Sequence, residues 1–157
     1  MRGAGGIVAL LLIGVALLLG DRVGGDDPGR PPAGGDRPSA GVRAEVLRVV
    51  DGDTIEVEID GAEEGVRYIG VDTPETVEPG EPVQCFGPQA SAYNRKLVEG
   101  REVLLRFDAE RRDFYGRLLA YVYAGKRFVN AELVRGGYAR TLEIEPNTAR
   151  AGLLGRL

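Results

Sequence analysis

The sequence predicts a β-rich α+β fold in which a closed five-stranded barrel carries two short helices. Once an apolar leader and a linker are set aside, about 117 residues remain, enough for one small core. The first part of this region consists of short strand-like runs joined by turns. From Gly87 onward, helical spacing alternates with further strands. Strands followed by strands mixed with two short helices, in so small a chain, favour a closed barrel with packed helices.

The first three strands are expected to form a meander. Residues 45–50 and 54–59 flank Asp51-Gly52-Asp53, and an Asp-Gly step between two such runs is a strong hairpin signal. The second run has a period of two, typical of a half-buried strand, with apolar positions Ile55, Val57 and Ile59. A third strand is predicted from Val66 to Val71, after a polar turn over 60–65.

Helical spacing begins at Gly87. Pro88 suits a first helical position and Gly100 suits the end of a helix of about three turns. The apolar face of that helix comprises Ala90, Tyr93 and Leu97. Strands are predicted again over 102–107 and 118–123. Asn130 is expected to cap a second short helix that continues through Arg135.

The first 41 residues are expected to precede the folded domain. Residues 3–20 carry no charge, follow Met1-Arg2 and are strongly apolar at their centre. This segment, 1–20, fits a cleaved signal peptide and a retained N-terminal membrane anchor about equally, since the cleavage pattern is poor and the length is at the lower limit for a span. Residues 21–41 are rich in Gly and Pro, so we expect a disordered linker ahead of a domain over 42–157.

The composition excludes several catalytic chemistries. The chain has no His, one Cys and a formal net charge of −4. Ser-His-Asp and Cys-His nucleophile systems, His-ligated zinc and His-dependent nucleases are therefore excluded. The single Cys85 is expected to pack as a small, half-buried residue. The net negative charge argues against nucleic-acid binding through bulk charge, although it permits a local basic cleft.

Four short segments concentrate residues that the fold alone does not need. Each has an ordinary structural explanation by itself, as a turn, a rim arginine, a solvated acidic loop or a surface loop. Together they supply hard oxygen donors suited to Ca²⁺, a further carboxylate that can take a proton from water, and two guanidiniums that can meet charge on phosphorus. The segments are Asp51-Gly52-Asp53-Thr54, Arg67, Asp72-Thr73-Pro74-Glu75-Thr76 and Asp113-Phe114-Tyr115-Gly116-Arg117.

Six motifs occur in a fixed order along the chain. They are Asp-Gly-Asp-Thr, Arg-Tyr-Ile-Gly-Val-Asp-Thr-Pro-Glu-Thr, Phe-Gly-Pro-Gln-Ala-Ser, Tyr-Gly-Arg-Leu-Leu-Ala-Tyr-Val-Tyr, Val-Asn-Ala-Glu-Leu-Val-Arg-Gly-Gly-Tyr-Ala and Pro-Asn. In order and approximate spacing the sequence resembles the staphylococcal nuclease, or thermonuclease, family. The resemblance runs from about Glu45 to Asn147 and implies a five-stranded OB-fold-type barrel with helices.

The resemblance implies a calcium site and a general base. Asp53 and Asp72 match the family's calcium-binding carboxylates, and the Thr73 carbonyl matches its backbone ligand. Glu75 matches the carboxylate assigned as general base. Asp51 matches a nearby acidic residue that lies outside the set of ligands.

The resemblance also implies a substrate and a reaction. Arg67 and Arg117 match the two phosphate-binding arginines, and Tyr115 matches a tyrosine beside the bound nucleotide. A calcium-dependent endonuclease or exonuclease of single-stranded or denatured DNA and RNA, leaving 3′-phosphates, is therefore implied. Water as the nucleophile explains why a 2′-hydroxyl is not required. Secretion, or anchoring with the domain outside the cell, is expected from the leader, and nothing demands more than a monomer.

Two departures from the family pattern affect these expectations. Where the family's type member has two tyrosines that flank the nucleotide base, this chain has Glu143 and Glu145, which removes stacking and adds repulsion toward phosphate. The family's C-terminal helix is expected to be truncated or missing, because Gly152 and Gly155 weaken the short segment before Leu157. A destabilised domain or a truncated reading frame is the corresponding expectation.

Two other functions stay open. A catalytically weak OB-fold module could bind nucleic acid or a protein partner without calcium, and Glu75→Gln would leave that binding unchanged. A structural calcium-binding surface domain would show calcium-dependent stability without affinity for nucleotides. The full set of matched site residues favours the nuclease, since a module that only binds needs no general base.

Overall fold

A computed structural model describes residues 41–76 and 84–157. The leader, linker residues 21–40 and residues 77–83 lie outside the described residues, so the expectations for the leader and the linker stay predictions. In the described ranges the longest helix has 12 residues, and none is long and apolar enough to cross a membrane.

Eight strands lie in the described ranges, and five of them form the barrel. In chain order the strands are β1 (Val42–Asp51), β2 (Thr54–Ile59), β3 (Ala62–Tyr68), β4 (Val71–Asp72), β5 (Glu102–Arg106), β6 (Leu118–Ala124), β7 (Arg127–Phe128) and β8 (Arg140–Thr141). The sheet has the order β3-β2-β1-β5-β6, with β7 beside β6, and a parallel pairing between β3 and β6 closes it. The predicted closed five-stranded barrel is confirmed. β4 and β8 form a separate two-stranded ladder.

The apolar faces of the strands fill the barrel. On β2, the side chains of Ile55 and Val57 are fully buried, whereas Glu58 is exposed to solvent, as the period of two predicts. β1 contains two register shifts, which bend it so that it pairs with β2 on one side and β5 on the other. Burial of these side chains is the main favourable term that holds the domain together.

Three short helices pack on the barrel: α1 (Gly87–Val98), α2 (Val129–Arg135) and α3 (Ala151–Leu154). α1 has its proline, Pro88, in the first turn and buries Ala90 and Leu97, as predicted. α3 is a single turn, which agrees with the expectation of a truncated C-terminal helix.

The predicted role of Asn130 as a helix cap is wrong. α2 begins one residue earlier, and Asn130 is a fully buried residue of its first turn. The side-chain oxygen of Asn130 accepts a hydrogen bond from the Val122 N–H (2.9 Å), and its amide nitrogen donates to the Ile69 carbonyl (2.8 Å). The Asn130 amide, with one donor and one acceptor, thus satisfies a backbone group of β6 and the backbone carbonyl of Ile69 after β3, and it joins α2 to the barrel.

The predicted third strand is two strands in the structure. β3 begins at Ala62 because the turn before it is only Asp60-Gly61, both with positive φ. Gly70, with φ of 79°, then turns the chain so that β4 leaves the barrel wall and pairs with β8. Asp72 consequently lies directly across from Arg140 in the β4–β8 ladder.

The C-terminal segment is tied to the barrel. Leu154 is buried against Gly70, where an added Cβ would lie 2.6 Å from the Leu154 Cδ1. Asp108 accepts hydrogen bonds from the Ala149 N–H (2.9 Å) and from the Tyr121 hydroxyl (3.0 Å). Burial raises the pKa of the Tyr121 phenol, which keeps this donor protonated. The short segment therefore docks on the barrel, while the expected loss of stability stays a prediction.

Cys85 does not pack as expected. It is exposed, and so is the neighbouring Phe86, which precedes α1 with a left-handed φ of 69°. Both residues therefore lie on the surface at the start of α1.

Candidate active site

The turn between β1 and β2 forms one wall of the site. Asp53 is buried, and its Oδ2 accepts hydrogen bonds from the backbone N–H (2.8 Å) and the hydroxyl (2.9 Å) of Thr73. Gly52 permits this contact, because a Cβ there would lie 2.6 Å from the Thr73 hydroxyl oxygen and 2.9 Å from the Ala90 Cβ. The turn therefore brings the loop after β4 and the helix α1 against one carboxylate.

Asp51 braces the loop that carries Glu75. It is buried, and its carboxylate accepts hydrogen bonds from the Thr76 hydroxyl (2.8 Å), the Thr76 N–H (3.2 Å) and the Ser91 hydroxyl (2.9 Å). One carboxylate thus joins the hairpin turn, α1 and the residue next to Glu75. The described contacts of the Asp51 carboxylate are directed at the supporting loop and α1, and the expectation that Asp51 lies outside the set of metal ligands stays a prediction.

A second buried link runs from the same residue to the barrel. The Asp51 carbonyl accepts a hydrogen bond from the Asn94 amide (3.1 Å), whose oxygen accepts from the Tyr68 hydroxyl (3.0 Å). Burial raises the pKa of Tyr68, so its phenol stays a neutral donor. Every member of this chain of hydrogen bonds is buried, which makes the hairpin, α1 and β3 one rigid frame.

Arg67 lies between the two predicted calcium ligands. Its Nη1 pairs with Oδ1 of Asp53, and its Nη2 lies 3.0 Å from Oδ1 of Asp72. The Arg67 side chain is only 16% exposed, so these carboxylates supply much of its surroundings. Arg140 holds the other oxygen of Asp72 through Nε (2.9 Å) and Nη2 (2.7 Å). Asp72 is therefore shared between two guanidiniums.

The donor set at this place fits a hard divalent cation. The described ranges contain no group of three or more acidic or Cys side chains that could hold a metal ion. The predicted set is different: two carboxylates, Asp53 and Asp72, with the carbonyl of Thr73. The position of Arg67 between the carboxylates shows that positive charge is favoured there. Carboxylate and carbonyl oxygens are the ligands that Ca²⁺ takes.

Glu75 lies three residues beyond Asp72, on a loop whose backbone is held from both ends. The Glu75 N–H donates to the Gln84 side-chain oxygen (3.3 Å), and the Glu75 carbonyl accepts from the Gln84 N–H (2.9 Å). Gly87 approaches the same loop so closely that a Cβ there would lie 2.5 Å from the Thr76 Cγ2. The start of α1 therefore fixes the backbone position of Glu75, whose side chain is half-buried.

The register of β3 and β6 places the two predicted phosphate-binding arginines on one face. Arg67 pairs with Leu119, and a Cβ on Gly65 would lie 3.4 Å from the Arg117 Cγ. Gly65 and Arg67 are two residues apart on one strand, as Arg117 and Leu119 are on the next, and residues two apart share a face. Both arginines accordingly line the same groove.

Asp113 fixes Arg117 at the start of β6. Its Oδ2 accepts from Nε of Arg117 (2.7 Å), while its Oδ1 accepts from the backbone N–H of Arg117 (2.9 Å) and of Tyr115 (3.0 Å). Gly116 closes the turn with φ of 83°. The Arg117 guanidinium lies 5.4 Å from the centre of the Tyr115 ring. The loop is thus a built turn that presents an arginine and an aromatic ring together.

The groove has a volume of about 430 Å³. Its walls include Arg67, Arg117 and Tyr115, together with Phe114, Ile144 and Glu145. The rings of Phe114 and Tyr115 are 98% and 80% exposed, and Ile144 is 61% exposed. Of the two glutamates that replace stacking tyrosines, Glu145 lines the groove, whereas Glu143 is exposed outside it. Apolar contact for a base is therefore available in spite of the missing tyrosines.

The structure brings the predicted site residues together in three adjoining parts. Arg67, Arg117 and Tyr115 line the groove. Asp53 and Asp72 pair with the Arg67 guanidinium, and Thr73 donates to Asp53 beside it. Glu75 belongs to the supporting loop and Asp51 to the turn that holds this loop. Sequence reasoning missed Arg140 and Ile144 as site residues, while it placed Asp113 and Phe114 in a candidate segment without giving either a role. Arg140 had no local signal, because its partner Asp72 is 68 residues away.

Comparison with known proteins agrees with this architecture. The family model for staphylococcal nuclease homologues matches residues 65–154. The thermonuclease of Staphylococcus intermedius is 43% identical over 143 residues, which cover 89% of this chain and 82% of that protein. The thermonuclease of Staphylococcus hyicus is 47% identical over 102 residues, covering 65% and 60% of the two chains. Endonuclease YncB of Bacillus subtilis is 48% identical over 103 residues, covering 64% and 49%.

The fold is a closed five-stranded barrel with helices, and the matched region contains the groove and most of the site. The chain belongs to the staphylococcal nuclease family. It spans most of the S. intermedius relative but only about half to three fifths of the length of the other two.

Proposed function

We propose that the protein is a calcium-dependent nuclease that hydrolyses phosphodiester bonds of DNA and RNA and leaves 3′-phosphate products. The observation that carries the proposal is the meeting of two arginines in one groove beside the carboxylates Asp53 and Asp72: Arg67 lies on β3, and Arg117 directly precedes β6. Relatives named thermonuclease and endonuclease support the same activity.

The residues of this chain are suited to each part of that reaction. Arg67 and Arg117 present planar guanidiniums, which can meet the charge that builds on phosphate oxygens in the transition state. Glu75 is proposed to take a proton from the attacking water, since it is the remaining matched carboxylate and its loop is rigidly held. Asp53, Asp72 and the Thr73 carbonyl would hold Ca²⁺, which when bound withdraws charge from a phosphate oxygen.

Arg67 must change partners for this chemistry. Its guanidinium now neutralises one oxygen of Asp53 and one oxygen of Asp72. Two oxygens of a single phosphate group can accept from the same two guanidinium nitrogens. A cation held by the two carboxylates would take over the neutralising role of the arginine. Arg67 would then be available to the substrate at the edge of the groove that it already lines.

The groove favours single-stranded or denatured substrates. The exposed rings of Tyr115 and Phe114 offer apolar faces to an unpaired base, and base stacking does not depend on sequence. Glu145 in the groove wall opposes phosphate, so we propose lower affinity than two tyrosines at these positions would give. Water as the nucleophile makes the 2′-hydroxyl dispensable, which is the basis for proposing both DNA and RNA.

We propose that the enzyme acts outside the cell. The apolar leader over 1–20 supports export, either as a cleaved signal or as a membrane tether, and the linker over 21–41 would separate the domain from the membrane. The domain buries its own core and completes the site from one chain, which supports a monomer.

The test is hydrolysis of heat-denatured DNA and of RNA by the purified chain, with calcium and with chelator. Glu75→Gln is compared with Glu63→Gln, a charge-matched change at an exposed position of β3. We expect calcium-dependent cleavage that Glu75→Gln lowers by about 10²-fold or more and Glu63→Gln leaves unchanged. The product ends are identified by labelling the 3′ ends with and without phosphatase treatment. Products that carry a 3′-phosphate should be labelled only after that treatment.

Each alternative has its own signature in this test. A folded protein that binds oligonucleotide equally with calcium and with chelator, and cleaves under neither condition, would be a binding module. A protein that calcium stabilises against urea, without affinity for nucleotides, would be a structural calcium-binding domain. Either result would refute the proposed nuclease.

A further inference from the structure

We infer that the cleft between β4 and the 137–140 segment is a second nucleotide subsite, on the opposite side of the scissile phosphate from the groove. The cleft has a volume of about 320 Å³, and its lining includes Asp72, Gln84, Tyr138 and Arg140. The inference rests on the proposed nuclease function and adds to it a place and an anchoring residue for the neighbouring nucleotide.

The position of the cleft is the first argument. Val71 lines the groove and Asp72, the next residue of β4, lines the cleft, so this short strand borders both cavities. A phosphodiester bound over Arg67 and Asp72 has one nucleotide on each side. The groove has the size of a site for one small ligand, so the second nucleotide needs a place of its own.

The chemistry of the cleft is the second argument. Arg140 is 81% exposed, and its contacts to Asp72 use Nε and Nη2. Asp72 is the one carboxylate among the described residues that line the cleft, and it is neutralised by both Arg67 and Arg140. Among the described residues that line the cleft, a phosphate therefore meets an accessible guanidinium and no unpaired acid.

The walls of the cleft suit a nucleoside. The Tyr138 ring is stacked on the Tyr93 ring, with 4.5 Å between ring centres, and this holds its position. Gly136 allows that packing, since a Cβ there would lie 2.8 Å from the Tyr138 Cδ2. Gln84 adds an amide whose nitrogen can donate hydrogen bonds, while its oxygen accepts from the Glu75 N–H. A fixed aromatic wall, an amide and a guanidinium together match base and phosphate.

The experiment compares a short ligand with a long one. In a Glu75→Gln background, at saturating calcium, the affinities of a nucleoside 3′,5′-bisphosphate and of a single-stranded octadeoxynucleotide are measured with and without Arg140→Gln. We expect Arg140→Gln to weaken octanucleotide binding by about five- to tenfold and mononucleotide binding by less than about twofold. The slope of log K against log salt for the octanucleotide becomes shallower by about 0.7, the value for one lost phosphate contact on a single strand.

Two further variants make the result specific. Arg127→Gln, an exposed arginine on β7 outside both cavities, removes the same charge and leaves the slope unchanged. Arg140→Lys retains a positive charge and restores most of the slope. An equal loss for both ligands, or an unchanged slope with Arg140→Gln, would overturn the second subsite, because Arg140 would then act only through Asp72.

Failure of the inference and failure of the proposed function are separable. If the chain with Glu75 intact does not cleave denatured DNA in calcium, the nuclease proposal fails, and the subsite fails with it. If that chain cleaves, but Arg140→Gln weakens octanucleotide binding no more than mononucleotide binding, only the second subsite is discarded.

Discussion

Replacing Asp51 by Asn tests whether a buried carboxylate holds the active-site loop. The carboxylate accepts hydrogen bonds from the hydroxyls of Thr76 and Ser91 and from the N–H groups of Gly52 and Thr76, at 2.7 to 3.2 Å. An asparagine of the same shape has no charge, and its amide nitrogen meets one of these donors. Hydrogen bonds to a charged acceptor stabilise by roughly 1 kcal/mol more than neutral ones.

The magnitude follows from these contacts. Three hydrogen bonds each lose about 1 kcal/mol when the acceptor becomes neutral. Asn removes the cost of burying a charge, which offsets part of this loss, so the net destabilisation is about 2 kcal/mol. For a domain of this size, about 4 °C of melting temperature accompanies each kcal/mol, so Tm falls by about 8 °C. Because Thr76 is next to Glu75, hydrolysis by Asp51→Asn should also lose kcat beyond any loss from unfolding.

The assay is urea unfolding followed by circular dichroism at pH 7, with Glu58→Gln as the matched control. Glu58 is exposed on β2, so its variant should stay within about 0.5 kcal/mol of the parent. A double-mutant cycle of Asp51→Asn with Ser91→Ala should give a coupling above about 0.5 kcal/mol. An Asp51→Asn variant with the parent's unfolding midpoint would refute the reasoning, since the buried carboxylate would then contribute no stability.

Three other predictions concern the C-terminal turn, the buried phenol and the groove. Leu154→Ala should destabilise the domain by about 3 kcal/mol in urea, whereas Leu153→Ala, at a 37% exposed position, should cost less than about 1 kcal/mol; equal costs would show that α3 does not dock. Because burial raises the pKa of Tyr68 above its ordinary value of 10.0, the stability it contributes is full below pH 10 and is lost as the unfolded chain ionises at higher pH. Above about pH 10, unfolding free energies should therefore fall less steeply in Tyr68→Phe, with a difference that approaches about 1.4 kcal/mol per pH unit, and a parallel decline up to about pH 12 would contradict the assignment. Tyr115→Ala should raise KM for denatured DNA by about tenfold with little change in kcat, and an unchanged KM in steady-state kinetics would exclude stacking on this ring.

The barrel was predictable because its signals are local. The Asp-Gly turn, the alternation of Ile55 and Val57, and the change of period at Gly87 each concern residues close in sequence. Gly70 shows the limit of such signals. A glycine in an apolar run fits either a continuous strand or a bend, and only the packing of Leu154 and the pairing of β4 with β8 decide between them.

Candidate site residues could be predicted where they lie in short sequence motifs. They could not be predicted where only the pairing of distant strands brings them together. Asp53, Asp72 and Arg67 occur in short, recognisable segments. Arg140 enters the site only because two strands of two residues each pair across a long stretch of chain, and so short a ladder leaves no periodic signal. The predicted helix cap at Asn130 was wrong for a related reason. An asparagine near the start of a helix fits a cap, but here backbone groups of the barrel bind both the oxygen and the nitrogen of its side-chain amide.

The pairing of every site arginine with a carboxylate reconciles the acidic chain with an anionic substrate. Arg67 pairs with Asp53 and Asp72, Arg140 with Asp72 and Arg117 with Asp113, so each guanidinium is positioned before a phosphate arrives. An ion pair at an exposed position, such as that of Arg140 with Asp72, contributes little stability. A guanidinium can donate to phosphate oxygens as well as to carboxylate oxygens. The local basic cleft that the net charge permits would then be a set of arginines held by acids. If phosphate binds there as proposed, it does so by an exchange of partners, and salt should weaken that binding strongly.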